Sequence, residues 1–315
     1  AGAFAPSTAA NFKYQFTAYV NFCETYNLDI FPPVPKTVAR YLTLCADKPL
    51  VYATINNKLS AIVKFYKLCG YTLDTDHYEL DLFMKACKRQ LSTASKPKAP
   101  LEPGHLILIN AICDQSIPEN RLFYTALIMQ YFTCTRKSNL LPASIHTFSA
   151  FRHLTRQDFH FTPDGLIVTL PWTKTLQARD DVLTIAVADV PGAIINPVAI
   201  YRQFVTDFPL HSQALPAFSL TDGHKLLILT QPMYIAALKA HLSALGLPAD
   251  AYSSHSVRRG STTCMYQASV DHKLIKHHGT WKSQCYERYI QPSYRDKLLP
   301  TQKMVSHINS LFGAT

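Results

Sequence analysis

One stretch of the chain, Ser253-Ser-His-Ser-Val-Arg-Arg-Gly-Ser-Thr-Thr263, combines residue types that bind phosphate. Ser253 or Ser254 can cap a helix that begins there. His255 and Arg258 then lie three residues apart on one helical face. A helix N-terminus that carries an imidazole and a cation favours an anion, through its free N–H groups and its dipole. The alternative is a structural histidine beside an arginine that forms a surface ion pair.

A second stretch follows, Leu274-Ile-Lys-His-His-Gly-Thr-Trp-Lys-Ser-Gln-Cys-Tyr-Glu-Arg-Tyr-Ile290. Together the two stretches give His-x-x-Arg, then Gly-x-Trp-Lys-Ser, then Arg-Tyr-Ile. This order and spacing resembles the C-terminal signature of tyrosine recombinases, and most closely that of the crypton type found in eukaryotic mobile elements. The ordered set is a far stronger signal than any one of its members.

The resemblance implies two further site residues upstream, and matching motifs are present for both. The segment Thr133-Cys-Thr-Arg-Lys-Ser138 assigns the family's first active-site arginine to Arg136. The segment Pro171-Trp-Thr-Lys-Thr-Leu-Gln177 assigns the family's hairpin lysine to Lys174. The resemblance therefore covers nearly the whole chain, although in the N-terminal part it is one of helical pattern only.

The resemblance implies that Tyr289 attacks a DNA phosphodiester. Tyr286 lies three residues earlier, so both phenols could share a helical face, but the Arg288-Tyr289-Ile290 context favours Tyr289. Attack by a phenol passes through a phosphorane-like state with added negative charge. Arg136 and Arg258 can stabilise that charge, because planar guanidinium groups donate paired hydrogen bonds to phosphate oxygens.

Three other residues complete the implied site. The indole N–H of Trp281 can donate one more hydrogen bond to the phosphate. His255 either does the same or accepts the tyrosine proton, since an ordinary pKa near ~6.5 suits both tasks. Lys174 is the candidate acid that protonates the departing 5′ oxygen. The 3′-phosphotyrosine bond conserves the phosphodiester energy, so resealing needs neither ATP nor metal, and we expect no cofactor.

The cysteines and histidines could suggest a metal site, but their spacing does not support one. The eight cysteines lie 18 or more positions apart, so the sequence has no Cys-x-x-Cys pair. His277 and His278 are adjacent and point apart on a helix, and with His272 they lack a carboxylate or cysteine pair to complete a set. We expect these histidines to support the fold or lie at the surface, and the cysteines to be the reduced thiols of an intracellular protein.

Composition limits the possible partners. The 315 residues are 48% hydrophobic, as in a globular protein. The 31 Lys and Arg against 21 Asp and Glu give a net charge of +10, which favours a polyanion partner, most simply double-stranded DNA. No apolar run reaches the ~18–20 residues of a membrane span, and no signal peptide is visible, so we expect no membrane partner. The crypton resemblance implies a nuclear location.

Hydrophobic periodicity predicts four helices in residues 1–98. The resemblance implies that they form a DNA-clamping (core-binding) domain, and a linker extends to about residue 103. Basic side chains on these helices and on the linker are candidates for DNA binding; the alternative is an ordinary solvated helix face. The candidates are Lys58, Lys64, Lys67, Lys85, Lys88, Arg89, Lys96 and Lys98.

The sequence pattern of residues 99–315 predicts a mixed, mainly helical domain, which the resemblance implies is the catalytic domain. The β-prone runs Leu166–Leu170 and Val182–Val187 predict a small antiparallel sheet whose hairpin has a polar tip. Helical periodicity returns at Pro197 and continues almost to the end. An apolar stripe in residues 299–312 either packs on its own domain or docks on a neighbouring protomer. The expected fold is mostly α, that of a tyrosine recombinase.

The expected function is site-specific DNA recombination, in which a mobile element is excised or integrated through a 3′-phosphotyrosine intermediate. The resemblance implies a homo-tetramer in the synaptic complex, and a monomer or dimer without DNA. Two alternatives remain open. One is a non-catalytic DNA-binding protein derived from a recombinase, and the other is a type IB-like topoisomerase that uses the same chemistry as a monomer.

Overall fold

The computed structural model describes residues 6–91, 98–172, 183–222, 225–281 and 283–290, with scattered positions from 292 to 305. The chain divides into two compact units, Ala1–Pro97 and Lys98–Thr315. None of the described helices is long and apolar enough to cross a bilayer.

The first unit contains four α-helices within residues 6–91, as the sequence predicts. They are α1 (Pro6–Thr25), α2 (Pro35–Ala46), α3 (Tyr52–Leu68) and α4 (Tyr78–Gln90). Proline at the first position of α2 suits a helix start, because its missing N–H would be unpaired there anyway. Gly70 follows α3 with a φ of +81°, the left-handed conformation that commonly ends a helix.

The core of the first unit forms where the apolar stripes of its helices meet. Tyr19 of α1 and Tyr66 of α3 are both fully buried. The Tyr66 hydroxyl lies 3.1 Å from that of Tyr19 and donates to the carbonyl of Ile30 at 2.8 Å. The two phenols therefore bury their rings without leaving their polar ends unpaired.

The second unit is mainly helical, with two small antiparallel sheets. Its helices are α5 (Pro103–Ile112), α6 (Pro118–Phe132), α7 (Lys137–Leu140), α8 (Pro197–Asp207), α9 (Gln231–Ala244), α10 (Ser254–Gln267) and α11 (His272–His278). Its strands are β1 (Phe159–Thr162), β2 (Gly165–Leu170), β3 (Leu183–Ala188), β4 (Ser219–Asp222) and β5 (Lys225–Ile228). A 3-10 segment spans Gln284–Tyr289. The fold class predicted from the sequence is confirmed.

Helix α6 is the centre of the second unit. Every residue from Leu122 to Tyr131 is buried, so the helix has neighbours on all sides rather than along one stripe. The helix ends at Phe132, immediately before the motif that contains Arg136. Its burial therefore fixes the position of the chain at that point.

The sheet β1-β2-β3 is antiparallel throughout. Leu170 of β2 pairs with Leu183 of β3 at the end nearest the hairpin tip. The predicted hairpin is confirmed, while its polar tip, with Lys174, lies outside the described residues.

The expectation of continuous helix after Pro197 is wrong. Strands β4 and β5 pair with each other between α8 and α9. Each strand has only four residues, too few to separate a period of two from one of 3.6. The Asp222-Gly223 dipeptide, typical of tight hairpin turns, is the sequence signal for this pair.

The extended stretch before α5 packs against α10 and the turn that precedes it. The N–H of Ala99 donates to the carbonyl of Ala251, and that of Leu101 donates to Ser256, both at 2.9 Å. Leu101 is fully buried. Gly260 of α10 faces it so closely that a Cβ would overlap the Leu101 carbonyl. The docking of this stretch therefore requires glycine in α10.

Gly260→Ala should destabilise the second unit, because either α10 or the Leu101 backbone must shift to admit the methyl group. We expect a loss of about 1–3 kcal/mol in the free energy of unfolding. The matched control is Gly104→Ala in α5, where a Cβ meets nothing within 4 Å. Thermal unfolding followed by calorimetry should show a lower Tm for the first variant only, and equal Tm values would contradict the packing described.

Candidate active site

The turn after α6 places Arg136 at the start of α7. The Thr133 hydroxyl returns to the carbonyl of Met129 at 2.6 Å and lies 3.0 Å from the hydroxyl of Thr135. Cys134 has a φ of +50°, a left-handed conformation uncommon outside glycine. This conformation bends the chain away from the helix axis. Arg136 follows as a half-buried residue at the N-cap of α7.

The N-terminus of α10 is capped by Ser253 rather than Ser254. The Ser253 side chain accepts from the N–H of His255 at 3.2 Å, and the Ser253 N–H donates to the Ser256 hydroxyl at 2.9 Å. His255 is exposed in the first turn, whereas Arg258 is only 1% exposed. The two residues of the His-x-x-Arg motif therefore lie in different surroundings, one open to solvent and one enclosed.

The guanidinium of Arg258 connects three segments of the second unit. It donates to the carbonyls of Cys134 and Gly279, the latter at 2.5 Å. Its central carbon lies 4.1 Å from the ring centroid of Trp281 and 5.8 Å from that of Tyr289. The Arg258 side chain thus contacts the turn after α6, the turn after α11 and the 3-10 segment.

A tight turn after α11 orients the indole of Trp281. Gly279 has no room for a Cβ, because the indole ring lies directly against it. Thr280 has a φ of +56°, a strained conformation for a β-branched residue. Trp281 is 5% exposed as a result, with its ring against the Arg258 guanidinium. Gly-x-Trp is therefore a geometric requirement of the turn.

The two candidate tyrosines have different environments. Tyr286 is 2% exposed, and its hydroxyl lies 3.0 Å from Nδ1 of His272. Tyr289 is half-buried, with its ring 5.6 Å from that of Trp281. Its carbonyl accepts from the Thr263 hydroxyl at 3.1 Å, which ties the end of the 3-10 segment to α10. Tyr286 packs as a core residue, whereas the Tyr289 ring lies beside Arg258.

The cluster around Arg136 and Arg258 carries positive charge. Among the described residues, no Asp or Glu forms an ion pair with Arg136 or Arg258. Burial lowers the pKa of Arg258, the nearby charge of Arg136 lowers it further, and Tyr289 acts in the opposite direction. A neighbouring anion would favour the charged form of both arginines.

Two buried donors in the same cluster have no hydrogen-bond partner in the described part of the chain. They are Nε of Arg258 and the indole Nε1 of Trp281. Buried donors are almost always paired in native proteins. Unused donors beside an uncompensated cation suit an oxyanion ligand that accepts several hydrogen bonds.

Two of the three histidines of α11, His272 and His278, contact other parts of the second unit, whereas His277 is exposed. Nε2 of His278 lies 2.7 Å from the carbonyl of Phe132, at the end of α6. Burial lowers the pKa of His278. No group of three potential metal ligands occurs among the described residues.

The hairpin that contains Lys174 is anchored next to Arg136. The side-chain amide of Asn139, a buried residue of α7, donates to the carbonyl of Trp172 just beyond β2. The base of the hairpin and the helix that begins after Arg136 are therefore held together, while Lys174 itself lies outside the described residues.

Sequence reasoning missed two buried polar residues next to this cluster, Gln130 of α6 and Tyr234 of α9. Both are 0% exposed. The signal for Gln130 was available, because it is a lone amide in the otherwise apolar run Leu127-Ile-Met-Gln-Tyr131. A polar residue inside such a run must find partners when the helix is buried.

The candidate DNA-binding residues of the first unit lie mostly at its surface. Lys64, Lys67, Lys85, Lys88 and Arg89 are exposed, and Lys58 is half-buried. Lys98, at the start of the second unit, is exposed, and Lys96 lies outside the described residues.

Some of these side chains already have protein partners. Lys58 donates to Gln15 at 2.9 Å, Lys85 pairs with Asp81 at 2.6 Å, and Lys98 donates to the carbonyl of Asp250 at 2.5 Å.

Relatives and solved structures support a common fold. No protein-family model matches the sequence. The chain is 22% identical over 301 residues to an integrase/recombinase XerD homolog of Selenomonas ruminantium, covering 91% of this chain and 82% of that protein.

Two solved structures resemble nearly the full length. A Tn1549 transposon integrase in complex with transposon right end DNA matches with a TM-score of 0.65 and 15% identity, over 97% of this chain and 95% of that chain. A lambda integrase dimer bound to a COC′ core site matches with a TM-score of 0.60 and 14% identity, over 94% and 92%. The chain has the fold of the tyrosine recombinase and integrase superfamily.

The stability of the second unit should fall as the pH is lowered below about 6.5, the ordinary histidine pKa. Because burial lowers the pKa of His278, the unfolded chain takes up a proton that the folded chain excludes, down to the folded pKa. Above about pH 7.5 both states are neutral and this contribution vanishes.

His278→Gln keeps a donor for the Phe132 carbonyl but cannot titrate, so it should flatten the fall in Tm between pH 7 and 5. His153, whose pKa burial also lowers, should leave a residual slope. The control is His146→Gln at an exposed histidine, which should keep the wild-type slope. A His278→Gln profile that matched this control would contradict the assignment.

Proposed function

We propose that this protein is a site-specific DNA recombinase in which Tyr289 is the nucleophile that becomes covalently linked to DNA. The proposal rests chiefly on the Arg258 cluster. There a buried cation, with no carboxylate partner in the described part of the chain, lies beside a tryptophan donor and the Tyr289 ring. The fold and the relatives, which are recombinases or integrases by description, support the same class.

In the proposed reaction, the Tyr289 hydroxyl oxygen forms a bond to a DNA phosphorus, and the bond from that phosphorus to the 5′ oxygen breaks. His255 accepts the phenolic proton or donates to the phosphate, and Lys174 protonates the departing oxygen. Arg136, Arg258 and Trp281 stabilise the added negative charge. A 5′-hydroxyl of a second DNA strand then attacks the phosphotyrosine and releases the enzyme unchanged.

A DNA phosphate must displace protein atoms to reach this cluster. Arg258 is 1% exposed and Trp281 is 5% exposed, with the Tyr289 ring beside both. We infer that DNA binding moves Tyr289 or the 3-10 segment outward, so that the unpaired donors turn to the phosphate. Assembly on DNA would then control when the nucleophile becomes reactive.

We further propose that the two units clamp duplex DNA, with the first as the core-binding domain and the second as the catalytic domain. The basic residues of α3 and α4 would contact the phosphate backbone. Tn1549 integrase, XerH recombinase and lambda integrase were all solved on DNA, the last as a dimer. Strand exchange would proceed in a homo-tetramer.

The ordered motif also supports a more specific assignment, to the crypton type of recombinase. Under this assignment, the enzyme would mobilise a DNA element in a eukaryotic nucleus. The support is the spacing of Gly-x-Trp-Lys-Ser and Arg-Tyr-Ile in the sequence.

A non-catalytic DNA-binding protein is less well supported, because all six expected catalytic positions are filled in the sequence. A type IB-like topoisomerase would use the same residues and would relax supercoiled DNA as a monomer. Exchange between two marked duplexes separates these classes, since relaxation alone reseals each strand to its original partner.

The test is covalent trapping on nicked duplexes from a randomised pool, because loss of the short fragment at the nick prevents resealing. Wild type should give a protein–DNA adduct on denaturing gels, and sequencing the trapped DNA gives the site. Tyr289→Phe should abolish the adduct. Tyr286→Phe is the matched control, three residues away on the same 3-10 segment, and should retain it.

Other outcomes would contradict the proposal in different ways. An adduct lost only in Tyr286→Phe keeps the enzyme class and overturns the choice of nucleophile. Tight binding without an adduct at every salt concentration favours the non-catalytic DNA-binding protein.

Trp281→Phe should slow cleavage by about 10- to 100-fold, because it removes one hydrogen bond to a charged group while retaining an aromatic ring against Arg258. Single-turnover cleavage of the trapped duplex measures the rate, and filter binding measures affinity. Affinity should change little, since phosphate contacts elsewhere remain. Cleavage at the wild-type rate would exclude the indole as a phosphate donor.

A further inference from the structure

Gln130 is a fully buried amide whose hydrogen bonds reach the two segments that carry the candidate catalytic cations. Its Nε2 lies 3.2 Å from the carbonyl of Thr135, the residue before Arg136. The same nitrogen lies 3.4 Å from the carbonyl of Ser254, the residue before His255. Its Oε1 accepts from the Tyr234 hydroxyl at 2.6 Å.

These contacts fix the orientation of the amide. Backbone carbonyls only accept hydrogen bonds, so the NH₂ group must face Thr135 and Ser254. The oxygen then faces Tyr234, whose hydroxyl is the donor. Gln130 and Tyr234 are 0% exposed and Thr135 is 3% exposed, so water does not compete for these bonds.

We propose that Gln130 is a positioning residue that sets the spacing between the Arg136 turn and the N-terminus of α10. This inference rests on the proposed function. Each N–H of the amide donates to one carbonyl, so the side chain links the two segments at a fixed distance. The hydroxyl of Tyr234 in α9 holds the Gln130 amide in the orientation that directs both N–H groups to these carbonyls.

The proposal explains why an amide occupies this position in an apolar helix. Leucine or methionine would fill the space but leave two buried carbonyls with fewer donors. Glutamate has the right shape but no donor when ionised. Catalysis by two arginines depends on their separation, because a misplacement of about 1 Å can cost 10²-fold in rate.

The test uses the full-length protein, with the trapped duplex recovered from the randomised pool as substrate. Tyr234→Phe removes only the hydroxyl that orients Gln130, so it is the milder of two variants. Gln130→Met removes the amide and with it both hydrogen bonds to the backbone carbonyls. Tyr201→Phe is the matched control, because Tyr201 is a buried tyrosine of α8 whose hydroxyl has no partner in the described residues. Ile128→Val controls for a general weakening of α6.

Tyr234→Phe should slow single-turnover cleavage by about tenfold without weakening DNA binding, and Gln130→Met should slow it further. Tyr201→Phe and Ile128→Val should cleave at the wild-type rate. The decisive readout is a double-mutant cycle with Arg136→Lys. If the amide acts through placement of Arg136, Tyr234→Phe should slow the Arg136→Lys enzyme by less than about threefold.

Each result bears on a separate claim. Wild-type protein without an adduct would overturn the proposed function and, with it, this inference. Wild-type cleavage together with unimpaired Tyr234→Phe and Gln130→Met would overturn the inference alone. If Tyr234→Phe slowed cleavage equally in the wild-type and Arg136→Lys enzymes, Gln130 would have a purely structural role, and the inference would also be overturned.

Discussion

The second unit depends on the burial of one guanidinium group, that of Arg258. Removing a cation from water is unfavourable unless its donors are satisfied and its charge is compensated. Here two backbone carbonyls, of Cys134 and Gly279, and the face of Trp281 provide part of that compensation. Because these groups come from separate segments, the cation holds the segments together.

The charge and the hydrogen-bond donors of Arg258 are only partly compensated, and this links the fold to a function. Its Nε and the Trp281 indole N–H lack partners in the described chain, and no described carboxylate neutralises the charge. A phosphodiester would supply both the acceptors and the negative charge that are missing. Under the proposed function, that ligand is a DNA phosphate whose negative charge increases when a phenol attacks phosphorus.

Much of this arrangement was predictable from the sequence. Gly70, Pro35 and the apolar stripes mark the helices of the first unit, and the ordered motifs single out Arg258, Trp281 and Tyr289. The sequence does not decide between Ser253 and Ser254 as the N-cap of α10, because either serine can accept a hydrogen bond from an N–H group of the first turn. The β4-β5 hairpin was missed because each strand is too short to show its period.

The contacts that position the site were not predictable, because they join residues far apart in the chain. Gln130 reaches Ser254 across 124 positions, and Asn139 reaches the backbone of Trp172. The positive φ of Cys134 likewise has no signal in the local sequence, because cysteine does not favour the left-handed conformation.

The central claim, that Tyr289 carries the DNA, is tested most directly by locating the nucleotide on the protein. The trapped adduct would be trimmed with nuclease, digested with trypsin and sequenced by mass spectrometry. Trypsin cleaves after Arg288, so Tyr286 falls in the peptide 283–288 and Tyr289 in 289–295. The account predicts a nucleotide phosphate on Tyr289 in the second peptide, and a remnant on Tyr286, or on no tyrosine, would contradict it.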